Sequence, residues 1–185
     1  FPYVSKTYNS VSGFNEDKVG AEVFLNTGTG KQINLTLNPD FGQAESDEVI
    51  VNFSAQETFY SEKRAFFNEN QSLFDLSHYD RYRVINTRRI GAASSYDCEA
   101  ASDKDGCNNA KKSYTDIDFA LRYTQKNNNS DFGIFVAQES DESYTKGRNF
   151  YALRSKSMVG SRSIGYFLTH VVNNFTNEKA TVNVV

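Results

Sequence analysis

The sequence predicts an all-β fold, an antiparallel up-and-down meander interrupted by one long insertion. Three observations lead there. Apolar and polar residues alternate with a period of two in successive runs, as in half-buried strands. Short Asn- and Gly-rich turns connect the runs, which is hairpin chemistry. Residues 41–80 keep neither a strand nor a helix period and concentrate acidic and aromatic side chains.

The strands follow in order. Ile33, Leu35 and Leu37 share one face, against Asn34, Thr36 and Asn38. In the run from Thr115 to Tyr123, Ile117, Phe119, Leu121 and Tyr123 oppose Asp116, Asp118 and Arg122. Phe132, Ile134 and Val136 form a third apolar face, blurred by Phe135 on its reverse. Ile164, Tyr166 and Leu168 alternate with Gly165, Phe167 and Thr169, and Ala180, Val182 and Val184 with Thr181, Asn183 and Val185. Hairpin turns are expected at Asn26–Gly30, Asn127–Ser130 and Asn173–Asn174. Helices and strands do not alternate regularly, which argues against a doubly wound α/β fold. Within the insertion a short helix over Ser54–Gln71 is predicted, with Ser54 as its cap and Glu57 as the box partner. Phe59, Phe66 and Phe67 only roughly follow a helical stripe.

The chain's 185 residues fit a single β domain or barrel fragment over 1–185. A net charge of −3 leaves no basic footprint for nucleic acid, and no Lys/Arg run points to an anionic membrane surface. No apolar run approaches the ~20 residues of a spanning helix. The opening Phe1-Pro2-Tyr3, with Met158 the only methionine, suggests a processed protein or an excised piece. Cys98 and Cys107 bracket a polar, Gly-containing loop and predict a disulfide in an oxidising compartment, with two free thiols as the alternative. Asp103 and Asp105-Gly106 resemble part of a calcium loop, but Ala101 and Lys112 occupy its first and last ligand positions, so a solvated acidic turn is the better reading. His78 and His170 have no metal spacing, and no metal or cofactor is expected.

Two architectures fit alternating strands. One is a soluble sandwich with apolar faces packed together. The other is part of an outer-membrane barrel, lipid-facing outside and polar within. The run at 115–123 has the length of a tilted spanning strand. Its charged face (Asp116, Asp118, Arg122) would suit a lumen that pairs charges. In a strand starting at Arg81, parity places Arg81, Arg83 and Arg89 on one face, with Tyr82 and Val84 on the other. Arg88 then has the wrong parity, so it snorkels, sits on a bulge, or refutes the register.

Asn38-Pro-Asp-Phe-Gly-Gln-Ala-Glu45, Glu62-Lys-Arg64 followed by Phe66-Phe67, and Arg88-Arg89-Ile90-Gly91 together resemble the signature of a bacterial envelope family, domain of unknown function 5916. Phe1-Pro2-Tyr3-Val4 resembles the opening of that family's C-terminal region. The resemblance implies an outer-membrane β-barrel region, normally preceded by a domain similar to family 9 carbohydrate-binding modules, with this chain as the first part of the barrel. It implies a bacterial cell-envelope location, outer-membrane lipid as surroundings and a glycan as a candidate partner. Three positions depart from the family pattern: Ala65 stands for a proline, Asn68 for an apolar residue and Thr87 for a serine. The strand from Ile117 also lacks the family's small-residue and lysine motif.

Asp40, Glu45, Glu57, Glu62, Lys63, Arg64, Arg88 and Arg89 form the candidate site. It is read as a plug held by ion pairs, with a gate or binding surface as the alternative. Buried guanidinium groups need such partners, because an unpaired buried charge costs several kcal/mol. The leading expectation is a non-enzymatic envelope barrel that binds or transits a substrate. Glu57 and Glu62 are the weak candidates for a glycoside hydrolase pair, and a soluble binding sandwich is the third reading. An isolated piece is expected to self-associate through its uncovered strand edges.

Overall fold

The computed structural model describes residues 1–9, 14–40, 62–69, 71–78 and 82–185. Glu45, Glu57, Phe59, Arg81 and half of the predicted Ser54–Gln71 helix lie outside the described residues.

Among the described residues ten strands occur in chain order, with three short helices: β1 (Pro2–Asn9), β2 (Phe14–Asn26), β3 (Lys31–Leu37), α1 (Ala65–Asn68), α2 (Gln71–Phe74), β4 (Ser77–His78), β5 (Tyr82–Arg83), α3 (Lys104–Ala110), β6 (Ile117–Lys126), β7 (Ser130–Glu139), β8 (Arg148–Val159), β9 (Arg162–Asn173) and β10 (Glu178–Val184). Eight of them make one open antiparallel sheet in the order β1-β2-β3-β6-β7-β8-β9-β10. Every connection in that sheet is a hairpin except β3 to β6, which residues 38–116 span. The all-β meander is therefore as the alternation predicts. The intervening segment is longer than expected, running past residue 80 to residue 116. No helix among the described residues is long and apolar enough to cross a membrane.

Register explains the two faces. On what we call the outer face, Leu25, Ile33, Tyr123, Ile134, Leu153 and Leu168 stand in one cross-strand row. Val23, Leu35, Leu121, Val136, Tyr151 and His170 form the next. These rows carry no Asp, Glu, Lys or Arg, and nothing in the described chain packs over them, so their side chains are half-buried by neighbours or exposed. The inner face holds Gln32, Asn34 and Thr36 of β3, Ala120, Arg122 and Thr124 of β6, Phe135, Ala137 and Glu139 of β7, Phe150 and Ala152 of β8, and Phe167 and Thr169 of β9.

The intervening segment packs on this inner face. Phe66, Phe67, Leu73, Phe74 and Ile90 join Ile117, Ala120, Phe135, Ala137, Phe150, Ala152 and Phe167 in one buried cluster. Phe67 and Phe74 lie 6.0 and 6.3 Å from Phe135, and Phe74 lies 6.4 Å from Phe167. Phe135, which blurs the alternation of β7, is thus the inner-face anchor for the segment.

Two local expectations are corrected. A register shift between Ile117 and Phe119 turns Ile117 onto the inner face opposite Glu139, so β6 starts with a bulge. No wall strand runs from residue 81: β5 has two residues, and Arg88 and Arg89 sit in a 3-10 turn, Thr87–Arg89, where strand parity has no meaning. Of the predicted 54–71 helix, the described residues hold the short helix α1, and α2 begins at Gln71. In β10 the sense of alternation reverses, with Ala180, Val182 and Val184 on the inner side.

Candidate functional site

The site is built where the intervening segment meets the sheet. Glu62 and Arg64 precede α1, and both are buried, at 6 % and 4 % exposure. Arg64 donates from Nε to Glu62 Oε1 (2.9 Å) and from Nη2 to Oε2 (2.8 Å), a bidentate pair. Its remaining donors reach the carbonyls of Ile90 (2.7 Å) and Thr87 (2.8 Å). The Thr87 hydroxyl donates to Glu62 Oε2 at 2.7 Å. The guanidinium lies over the Phe67 ring at 4.1 Å. Arg64 therefore joins the two sequence motifs, Glu62–Phe67 and Arg88–Gly91, through backbone carbonyls as well as charge. Burial alone would raise the Glu62 carboxyl; the hydrogen bonds and positive charge of Arg64, with Thr87, outweigh it and hold the group below the usual carboxylate range.

A second pair mirrors the first from the sheet side. Glu139, 1 % exposed at the end of β7, accepts from Arg148 Nε (2.7 Å) and Nη2 (2.8 Å). It also accepts from the Gly91 backbone N–H at 2.8 Å. Arg148 Nη2 donates to the carbonyls of Ala92 (2.9 Å) and Arg89 (3.2 Å). The 87–92 turn is thus gripped by Arg64 on one side and Arg148 on the other. Gly91 has φ +82°, in the left-handed region, and a Cβ there would lie 3.3 Å from both Ile117 Cδ1 and Thr115 O. The glycine of the Arg-Arg-Ile-Gly motif is the residue this turn needs.

A third pair sits lower on the inner face. Arg122, buried on β6, meets Glu69 at 3.4 Å and lies over Phe66 at 5.1 Å. Glu69 also accepts from Asn34 Nδ2 and from Gln32 Nε2 (3.2 Å). The polar parity of β3 and β6 is explained by this contact.

The departures from the family pattern are now intelligible. Ala65 is the first helical residue of α1, the position at which proline is most readily accepted. Thr87 keeps the hydroxyl that serves Glu62. Asn68 is exposed. The family model described as domain of unknown function (DUF5916) matches residues 1–117.

The chain belongs to the DUF5916 family.

The DUF5916 match ends at the start of β6, so the rest of β6 and strands β7–β10 lie beyond it. No curated protein and no solved structure matches the chain.

The predicted site residues are only partly brought together. Glu62 and Arg64 form its centre. Arg88 and Arg89 lie in the 3-10 turn, where the Arg88 N–H donates to Asn86 Oδ1 and the Arg89 carbonyl accepts from Arg148; Arg88 is half-buried and Arg89 exposed. Lys63 is exposed. Asp40 stands apart, accepting from Ser5 Oγ at 2.5 Å beside β1. Glu45 and Glu57 lie outside the described residues. Cys98 and Cys107 are joined by a disulfide, and Asp103 caps α3 by accepting from Gly106 N at 2.9 Å, the structural use of that acidic turn. Among the described residues no group of His, Cys, Asp and Glu has a metal-binding arrangement.

Sequence reasoning missed Glu139 and Arg148. A signal for Glu139 was present: it continues the parity of Phe135 and Ala137, the buried side of β7. A carboxylate there needs a cation. Nothing in the sequence of β8 marks Arg148 as that cation.

Proposed function

We propose that this DUF5916 sheet is part of the wall of an outer-membrane-type β-barrel in the bacterial cell envelope, with the segment between β3 and β6 lying in its interior as a plug. The carrying observation is the contrast between faces. An uncharged band crosses β2 to β9 on the side the described chain leaves uncovered, while on the other side Arg122 pairs with Glu69 of the segment and the buried pairs Glu62–Arg64 and Glu139–Arg148 hold the 87–92 turn. From Ile164 to Val172 on β9 the outer-face positions are Ile, Tyr, Leu, His and Val. That stretch rises roughly 27 Å along the strand. At a tilt of about 40° it spans roughly 20 Å of membrane normal, close to the ~25 Å apolar band of such barrels. The inner face combines a buried aromatic cluster with buried, paired charges, as a wall packed against a plug would.

The activity we assign is non-enzymatic: binding or passage of a solute, with a glycan as the candidate cargo. The geometry favours this over hydrolysis. Of the two acids proposed for that chemistry, Glu62 has both oxygens engaged by Arg64 and Thr87 and no open side for a substrate. A general acid needs a raised pKa, and Glu62 is shifted the other way.

Liposome association tests the reading. The refolded chain is expected to float with lipid vesicles and to stay bound through an alkaline carbonate wash. A chain that remains monodisperse in detergent-free buffer and ignores vesicles would instead be a soluble sandwich.

A further inference from the structure

Three inner-face arginines repeat one arrangement, a guanidinium over a phenylalanine ring with a carboxylate on its donors. Arg64 has Phe67 and Glu62, Arg122 has Phe66 and Glu69, and Arg148 has Phe150 and Glu139. Arg154 on β8 has the ring without the acid. Its guanidinium lies 5.6 Å from the Phe167 centroid, and among the described residues it has neither an ion pair nor a side-chain hydrogen bond.

The fold makes room for this group. Gly165, beside Phe167 on β9, leaves a slot in which a Cβ would stand 2.9 Å from Arg154 Nη1 and 3.1 Å from Nη2. Gly133 is the cross-strand neighbour on β7, and the side chains of Leu73 and Phe74 that cover it wall the slot on that side. Arg154 is half-buried, and its fork of donors is held flat rather than dispersed in solvent. The next inner-face row reads Lys126, Asp131, Lys156 and Gly165 across β6 to β9. Asp131 stands between the two lysines, in register with both and not with Arg154. With Arg154 added, three cations face one carboxylate, and the local excess is positive.

We propose that Arg154, seated over Phe167 in the Gly165 slot, is a binding site for a carboxylate group of a solute that reaches the inner face, with Lys156 supplying a second, more mobile charge. The class follows from the molecule itself: the other three guanidinium–phenylalanine stacks are each completed by a carboxylate, and a planar fork matches a planar oxyanion. The site stands on the inner face whatever covers the outer one, so it does not depend on the barrel reading.

Glucuronate and glucose, which differ by one carboxylate, are the probes. The protein in detergent micelles, labelled with 15N, is titrated with each while the Arg154 Nε–H resonance and its neighbours are followed. Glucuronate is expected to shift them saturably and glucose to leave them unmoved. Arg154→Gln should weaken glucuronate binding about tenfold or more, the effect of losing a charge-assisted hydrogen-bonded pair. Gly165→Ala keeps every charge but pushes the guanidinium from its seat, and should weaken binding several-fold. The proposal is overturned if glucose binds as well as glucuronate, or if either variant binds glucuronate as tightly as the native chain.

Discussion

Replacing Arg64 by Met is the sharpest test of how the intervening segment is held. The change keeps the aliphatic stem of the side chain but removes the guanidinium, and with it the charge and the stack on Phe67. It leaves Glu62, 6 % exposed, with the Thr87 hydroxyl and the Arg64 backbone N–H as its remaining donors. It also leaves the carbonyls of Thr87 and Ile90 without the guanidinium. Breaking a buried ion pair from one side costs about 3–5 kcal/mol. Removing both partners by Glu62→Gln with Arg64→Met leaves no buried charge and should recover most of that, because a buried pair and a neutral isostere are often near equal in stability. Urea unfolding followed by far-UV circular dichroism reads all four corners of the cycle, with slopes compared to confirm that only stability changes. A coupling of at least about 2 kcal/mol is expected, well above the ~0.5 kcal/mol typical of independent sites. An Arg64→Met cost below about 1 kcal/mol, the value of an exposed pair, would refute the claim that this pair fastens the segment.

Other expectations follow from the same geometry. Glu62 has a depressed pKa, so its contribution to stability is complete above its ordinary value of 4.5 and is lost as pH falls through the folded-state value; Glu62→Gln should flatten the acid limb of a stability–pH curve. Gly91→Ala forces a Cβ into left-handed backbone against Ile117 and Thr115, and should destabilise by roughly 1–3 kcal/mol in thermal unfolding. Opening the Cys98–Cys107 bridge with a double serine variant removes a short loop constraint worth roughly 2–3 kcal/mol, measured by the same unfolding with and without reductant. The open edges of β1 and β10 predict concentration-dependent association in sedimentation, reduced by a proline within β10.

Much of the fold was legible because one-sided burial writes itself as a period of two. β3, β7, β9 and most of β6 carry that mark, and the Asn- and Gly-rich turns between strands fall where expected. β8 was not legible: Arg154, Ser155, Lys156 and Ser157 place polar groups on both faces of its second half. β10 alternates clearly but in the opposite sense, which pairing reveals and sequence cannot. The bulge at Ile117 was hidden because one slipped residue leaves the composition of a strand unchanged.

The site was half legible. Glu62, Arg64 and the Arg88–Gly91 turn were visible as motifs; strand parity named Arg81, Arg83 and Arg89 as the arginines to be met by insertion carboxylates, whereas the buried pairs of the described residues are made by Arg64, Arg122 and Arg148. The partners were not visible. Glu62 serves Arg64 two residues away, whereas Glu139 serves Arg148 across the β7–β8 hairpin and Glu69 reaches Arg122 from the far side of the insertion. The Arg89 carbonyl serves Arg148, a main-chain role that no side-chain pattern encodes.

The most direct measurement of the two-faced sheet uses the absence of tryptophan from the chain. Single variants place tryptophan at Phe119, Leu121 or Leu153 on the outer face and at Phe24, Phe135 or Phe167 on the inner one, each reconstituted in vesicles with brominated acyl chains. Strong quenching of the outer set alone is the predicted result. Equal quenching of both sets, or none in either, would contradict it.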